Sequence, residues 1–214
     1  MSGTLRVHEI YLSLQGESTF AGLPCVFIRL TGCDLRCSYC DTAYAFTGGE
    51  TLTLDSILEQ TTALAEGYPE PPLVELTGGE PLLQRETPVL LAALADRGFT
   101  VLLETSGAHD ISGVDARVHR IVDLKCPSSG ESERNLSTNL HHLRASDEVK
   151  CVISTREDYD WAKAQLRQLF GKCEVLFSWV NPLEAGQVIA FSPPLTITEK
   201  QLERTLATLQ KVMS

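Results

Sequence analysis

The 214-residue sequence lacks several features that would direct its reading elsewhere. No apolar run approaches the ~20 residues needed to span a bilayer. Residues 1–14 carry one arginine among alternating polar residues, not the apolar centre of a signal peptide. Neither Gly-x-x-x-x-Gly-Lys-Ser/Thr nor Gly-x-Gly-x-x-Gly occurs, so nucleotide binding by those phosphate cradles is unsupported. No internal repeat, low-complexity tract or linker interrupts the chain. Basic residues are few, 18 Lys and Arg against 28 Asp and Glu. The formal net charge of -10 argues against broad binding to nucleic acid or to an anionic membrane. The expectation is a cytoplasmic protein with one domain over residues 1–214.

What is present is enough apolar material, 43% of residues, for a packed core, which excludes a disordered chain. The seven cysteines are many for a reducing compartment, and an odd number cannot form a complete disulfide framework. Three of them, Cys33, Cys37 and Cys40, fall within eight residues.

Apolar segments alternate between strand and helix lengths. Strands are predicted at 7–14, 25–30, 73–76, 99–104, 120–124, 148–153 and 174–179. Helices are predicted at 54–66, 88–97, 158–170 and 199–212. Thr53 or a Ser56-x-x-Glu59 box caps the first, and Thr198-x-x-Gln201 the last. This alternation implies an α/β fold with a mainly parallel sheet. The chain is short for a closed barrel of ~250 residues, so a partial, open β/α barrel is expected. Ligands then gather at the C-terminal strand ends. Polar signals sit there: Thr77 to Pro81, Glu104 to Gly107, Asp123 to Lys125, and Asn181.

The cysteine run has the spacing C-x3-C-x2-C. Three thiolates on one loop can wrap one face of a 4Fe-4S cluster and leave one iron open for chemistry. Zinc competes, since C-x2-C is also a zinc knuckle, but a structural zinc needs a fourth ligand and no second pair follows. The spacing alone also allows a set of buried, inert cysteines. Cys25, Cys151 and Cys173 read as strand-core residues, and Cys126 as a partly exposed loop residue.

The C-x3-C-x2-C run, with Tyr39 before its last cysteine, resembles the signature of the radical S-adenosylmethionine superfamily, and Thr77-Gly78-Gly79-Glu80-Pro81 resembles that superfamily's GGE motif. Glu9-Ile10-Tyr11-Leu12-Ser13-Leu14-Gln15-Gly16-Glu17 resembles the opening of the 7-carboxy-7-deazaguanine synthase family. Phe27-Ile28-Arg29, Cys40-Asp41-Thr42, Leu103-Glu104-Thr105-Ser106-Gly107, Asp123-Leu124-Lys125 and Asp147 to Lys150 continue that likeness over residues 7–153.

The resemblance implies a carbon-nitrogen lyase that contracts 6-carboxy-5,6,7,8-tetrahydropterin to 7-carboxy-7-deazaguanine with loss of ammonia, in queuosine and 7-deazapurine biosynthesis. It implies a 4Fe-4S cluster, S-adenosylmethionine and Mg²⁺ as cofactors. A flavodoxin or ferredoxin is the implied electron donor, a homodimer the implied assembly, and the pterin the small-molecule substrate.

Carried over by position, Cys33, Cys37 and Cys40 are the implied cluster ligands and Thr42 the Mg²⁺ ligand. Tyr39, Cys40, Asp41, Gly79, Glu104, Ser106, Asp123, Leu124, Lys125 and Asn181 are implied cofactor contacts. Leu14, Gln15, Gly16, Glu17, Arg29 and Thr77 are implied substrate contacts. Arg29 suits a substrate carboxylate, which it can meet with two parallel N–H bonds. The likeness stops in the last third. The family's terminal Gln-x-His-Lys segment is missing, the chain runs Phe191-Ser192-Pro193-Pro194-Leu195 instead, and no histidine follows His142. The pocket is then closed differently, by other residues or by a partner chain, or takes another substrate. Two alternatives stand beside this reading: an activating protein for a glycyl-radical enzyme, and a non-catalytic zinc protein.

Overall fold

The structure is a computed structural model that describes residues 3–169 and 171–180. The expected Asn181, the helix at 199–212 and its cap lie outside the described residues.

One eight-stranded sheet organises the described chain. Its strands are β1 (Thr4–Leu14), β2 (Pro24–Leu30), β3 (Glu50–Thr53), β4 (Leu73–Gly78), β5 (Val101–Thr105), β6 (His119–Asp123), β7 (Glu148–Ile153) and β8 (Glu174–Trp179). They lie in the order β3-β1-β2-β4-β5-β6-β7-β8. From β2 to β8 every neighbouring pair is parallel, while β1 runs antiparallel to both β2 and β3. Among the described residues the sheet has two edges, β3 and β8, as in an open barrel. The β3 strand was not expected from the sequence. Three of its four residues, Glu-Thr-Leu-Thr, are polar and most are exposed, so burial wrote no pattern into them.

The helices are α1 (Leu54–Ala65), α2 (Thr87–Asp96), the one-turn α3 (Asn139–His142) and α4 (Arg156–Leu166). Thr53 caps α1 by accepting from the Ser56 N–H at 3.1 Å, so it is Thr53 and not the Ser56 box that starts the helix. For α4 the start lies earlier than predicted. Thr155 accepts from the Asp158 N–H at 3.2 Å and Asp158 returns a bond to the Thr155 N–H at 3.1 Å. This reciprocal cap satisfies two donors that a helix start leaves free.

Alternation along the strands divides the sheet into two faces. The outer face of β2 and β4 presents Val26, Ile28, Leu30, Val74 and Leu76 to α1 and α2, all fully buried. Each such side chain contributes about 1.5–3 kcal/mol on burial. Beneath α4, Val149, Cys151 and Ile153 pack with Ala162 and Leu166. The inner face carries a smaller apolar layer, Cys25, Phe27, Leu73, Leu102 and Ile121. The loop between β1 and β2 crosses this inner face. Its Thr19 N–H reaches Glu148 of β7 at 3.1 Å, and its Phe20 ring stacks edge-on against His119 of β6 at 5.0 Å. The loop thus closes the floor beneath the inner face, and polar groups collect above it.

Two cysteine expectations change. Cys126 is fully buried, not partly exposed, because its thiol packs with Leu124 and Cys151 under α4. Cys173 is only half-buried, while Cys25 and Cys151 are core residues as expected. No helix among the described residues is long and apolar enough to cross a membrane.

Candidate active site at the C-terminal strand ends

The cysteine loop follows β2 and is tied down from several sides. The Gly32 N–H donates to Ala45 O at 2.9 Å, and the Ser38 N–H to Ser129 O at 2.9 Å. Arg36 lies over the Phe46 ring at 4.3 Å and donates to the carbonyls of Cys33 (2.9 Å) and Leu35 (2.6 Å). Asp34 is held between His109 (3.1 Å) and Arg134 (2.6 Å). Leu35 is buried and anchors the loop, so the three thiols are presented by a fixed backbone. Cys33, Cys37 and Cys40 all line one cavity of about 450 Å³.

The loop after β4 forms the next wall. A side chain on Gly79 would put its Cβ 2.1 Å from Gly32 O and 2.9 Å from Cys33 Cβ. Gly79 therefore lets this loop lie directly against the cysteine loop. Glu80, although in the GGE motif, does not line the cavity. Its carboxylate is spent on Leu82 N (2.8 Å), Thr105 Oγ1 (2.9 Å) and Ser106 N (2.7 Å), bracing this loop to the end of β5.

The floor carries charge. Lys150 donates to Glu17 at 2.7 Å and also to Glu104, whose other oxygen accepts from Thr77 at 2.9 Å. Gln15 donates through Nε2 to Glu75, and its Oε1 accepts from the Glu17 N–H at 3.0 Å. The carboxyls of Glu75 and Glu104 respond in opposite directions. Burial and the neighbouring Glu104 charge push Glu75 above the usual carboxylate range. Burial would also raise Glu104, but the Lys150 ammonium outweighs it and holds Glu104 below that range. Lys150 itself is raised, since its carboxylate partners outweigh its burial.

Opposite the cysteines, Lys125 donates to Asp123 at 2.7 Å, while Asp123 Oδ1 is buried with no partner in the described structure. Burial raises the Cys33 and Cys37 thiols, and the Lys125 charge works against this at both. Tyr39 turns inward, its hydroxyl 3.5 Å from Val152 O. Arg29 lines the same cavity, with its Nε on Glu9 (2.7 Å) and one NH2 proton on Tyr11 (3.0 Å).

Of the residues singled out in the sequence, Gln15, Gly16, Glu17, Arg29, Tyr39, Asp41, Thr42, Thr77, Gly79, Glu104, Ser106, Asp123 and Lys125 line the cavity together with the three cysteines. Two do not. Leu14 is 62% exposed at the end of β1, pointing away from the inner face, and Leu124 turns into the apolar layer under α4. Strand alternation is the reason in both cases: each neighbours an inward residue and so faces the other way. Gln15 is nearly fully buried, with both polar atoms engaged by protein. Sequence reasoning missed Glu75 altogether and gave Lys150 no role. The signal was available, since each is a charged residue inside a short, mostly apolar strand. It also missed Ser178, Trp179 and Val180, which border the cavity at the end of β8.

Residues 27–128 match the Radical SAM superfamily. A 7-carboxy-7-deazaguanine synthase of Koribacter versatilis is 47% identical over 165 residues, covering 77% of this chain and 71% of the relative. One of Chlorobaculum tepidum is 46% identical over 179 residues, covering 81% and 79%. The chain belongs to the 7-carboxy-7-deazaguanine synthase family. Among solved structures, QueE from Escherichia coli matches with a TM-score of 0.66 at 24% identity, over 82% of this chain and 83% of that one. It shares the fold. Neither the glycyl-radical activating protein nor the zinc protein finds support in these relatives.

Membership in this family brings a radical lyase chemistry that uses a 4Fe-4S cluster and S-adenosylmethionine. The residues fit both groups. Three thiols of one loop open to one cavity beside the Lys125 charge. A cluster takes each thiolate on a different iron. The orphaned Asp123 oxygen offers an acceptor for a hydroxyl or ammonium donor, and the Gly79 backbone leaves room for close approach.

Proposed function

We propose that the protein contracts 6-carboxy-5,6,7,8-tetrahydropterin to 7-carboxy-7-deazaguanine with loss of ammonia, and that the cavity at the C-terminal strand ends is where it does so. The observation that carries this reading is the shared lining. The three motif cysteines, Gly79, Arg29 and a floor of carboxyl groups all face one cavity of about 450 Å³, within the usual range of small-molecule sites.

The cluster and S-adenosylmethionine supply the radical chemistry that starts the reaction. The chain's own residues bind, orient and exclude water. Cys33, Cys37 and Cys40 would hold the cluster through their three thiolates. Tyr39, Asp41, Gly79, Glu104, Ser106, Asp123 and Lys125 would surround S-adenosylmethionine. Arg29 receives the substrate carboxylate. Glu9 and Tyr11 take two of its five N–H groups and fix its plane, leaving the rest for a ligand. Gly16, Glu17 and Thr77 border the substrate. Thr42, whose hydroxyl donates to Asp41 at 2.7 Å, would supply one oxygen to Mg²⁺, with oxygens of substrate and water as the further ligands, because a neutral hydroxyl alone is a poor site. A reduced flavodoxin or ferredoxin delivers the electron, and the working unit is a cytoplasmic homodimer.

The test is anaerobic turnover by the reconstituted protein with S-adenosylmethionine, Mg²⁺ and carboxytetrahydropterin. Deazaguanine product is expected by mass, and changing any one of Cys33, Cys37 or Cys40 to alanine is expected to abolish it together with the iron absorbance near 400 nm. Product formation by a variant lacking all three cysteines would overturn the assignment.

A further inference from the structure

The inward residues of β2 and β4 form two rows. Arg29 pairs with Thr77, and Phe27 with Glu75. Glu75 therefore lies about 7 Å below the Arg29 row along the strand, on the cavity floor. It is 3% exposed, and the inner-face residues around it, Phe27, Leu73, Leu102 and Ile121, are apolar. Packing gives no reason for a carboxyl there, and burying one is costly unless something offsets it. Only one of its two oxygens is engaged by a described residue: Oε2, held by the Gln15 amide. Gln15 in turn has its other end fixed by the Glu17 N–H at 3.0 Å. The neighbouring Glu104 has both oxygens committed, to Lys150 and Thr77. Glu17 is paired with Lys150 at the solvent rim.

Resting on the pterin reading above, we propose that Glu75 determines substrate specificity: its carboxyl accepts a hydrogen bond from the amino and N–H edge of the pyrimidinone ring while Arg29 holds the carboxylate at the other end. Gln15 is then a positioning residue. Its amide does not read the ligand but turns the Glu75 carboxyl toward it. The arrangement matches a bicyclic ligand with an anionic group at one end and an amidine-like donor edge at the other. Burial and Glu104 keep a proton on Glu75 to higher pH than usual, and N–H donors of a ligand favour its ionised form. Ligand binding therefore releases a proton from this group.

The test uses the reconstituted holoenzyme with S-adenosylmethionine and two unreactive oxidised ligands, 6-carboxypterin and 6-carboxylumazine. The second carries a 2-oxo acceptor where the first has a 2-amino donor. Affinities are measured anaerobically by titration calorimetry. The wild-type protein is expected to prefer the pterin by about ten- to hundredfold, the range for a hydrogen bond to a charged group. Glu75→Gln, whose amide can donate to the 2-oxo group, is expected to lose at least tenfold of that preference with its absorbance near 400 nm intact. A merely structural Glu75 would weaken both ligands alike. Should Glu75→Gln fail to hold its cluster, Glu75→Asp keeps the charge, withdraws the oxygen and is expected to show the same fall. An unchanged preference in the folded variant overturns the proposal. Binding of neither ligand by the wild-type protein overturns the pterin reading, and this proposal with it.

Discussion

At the residue scale, the site is made by a few side chains that contradict their surroundings. Glu75 and Lys150 are charged residues in strands whose other members are mostly apolar, and Asp123 keeps a buried oxygen without a partner. Glu75 has a consequence for stability that can be read from its sign. Its folded carboxyl binds a proton more tightly than it does in the unfolded chain. As pH rises from the ordinary carboxylate range toward the raised folded value, the unfolded state has lost that proton while the folded state keeps it. Stability therefore falls through this window. Glu104, Lys150 and Glu17 are the charged groups around it. Glu75→Gln removes the dependence. Its melting temperature relative to wild type is expected to rise by at least about 2 °C between pH 5 and pH 8, since one pKa unit is about 1.4 kcal/mol and 1 kcal/mol is about 2–4 °C at this size. Thermal melts of the holoenzyme at both pH values check this, and a difference independent of pH would refute it.

Some residues were legible at this scale and others were not. The three cysteines, Arg29 and Gly79 announce themselves by spacing, and the structure brings them to one cavity. Gln15 was legible as a cavity residue, as the resemblance implies, and it lines the cavity. Its hydrogen bonds to Glu75 and to the Glu17 N–H, which tie the β1–β2 loop to β4, were not legible. Hydrogen-bond partners 60 residues apart are not written in local sequence.

At the scale of elements, strands were read better than their joints. The strands β7 and β8 fall at their predicted bounds, with Val149, Cys151, Ile153, Val175 and Phe177 packed in the apolar layer under α4. The start of α4 was missed because the Thr155–Asp158 cap precedes the amphipathic pattern. The joint between β6 and β7 was not legible at all. There Asp147, fully buried, accepts from the Arg120 backbone N–H (3.2 Å) and guanidinium (Nε, 3.1 Å) and from the Arg144 N–H (2.7 Å). Burial alone would raise the Asp147 carboxyl, but these donors hold it below the usual range. Removing one partner of a buried pair strands the other charge. Asp147→Ala is expected to cost about 3–5 kcal/mol in denaturant unfolding. A loss below about 1 kcal/mol would mean that Arg120 finds other partners, for example the carbonyls of Ile111 and His142 that it already contacts.

At the scale of the whole molecule, the sheet of the described residues is open, and the loops at its C-terminal strand ends line the cavity. The parallel strands β2 and β4 to β8 end on the same side, so their loops converge there, and the β1–β2 loop closes the floor from the opposite end. The fold class and this convergence were legible from strand–helix alternation. The antiparallel edge β1–β3 was not, because pairing direction depends on long-range contacts that periodicity does not encode. The alternation also explains why Leu14 and Leu124, taken over with their motifs, face away from the cavity that their neighbours line.

On the reading proposed above, this cavity directs radical chemistry onto a carboxytetrahydropterin, and the family resemblance implies that S-adenosylmethionine is regenerated at each turnover. The most direct measurement is the ratio of 7-carboxy-7-deazaguanine to 5′-deoxyadenosine formed by the reduced holoenzyme under anaerobic turnover. Several deazaguanines and as many ammonia molecules are expected for each deoxyadenosine released. Abundant deoxyadenosine without deazaguanine would contradict it.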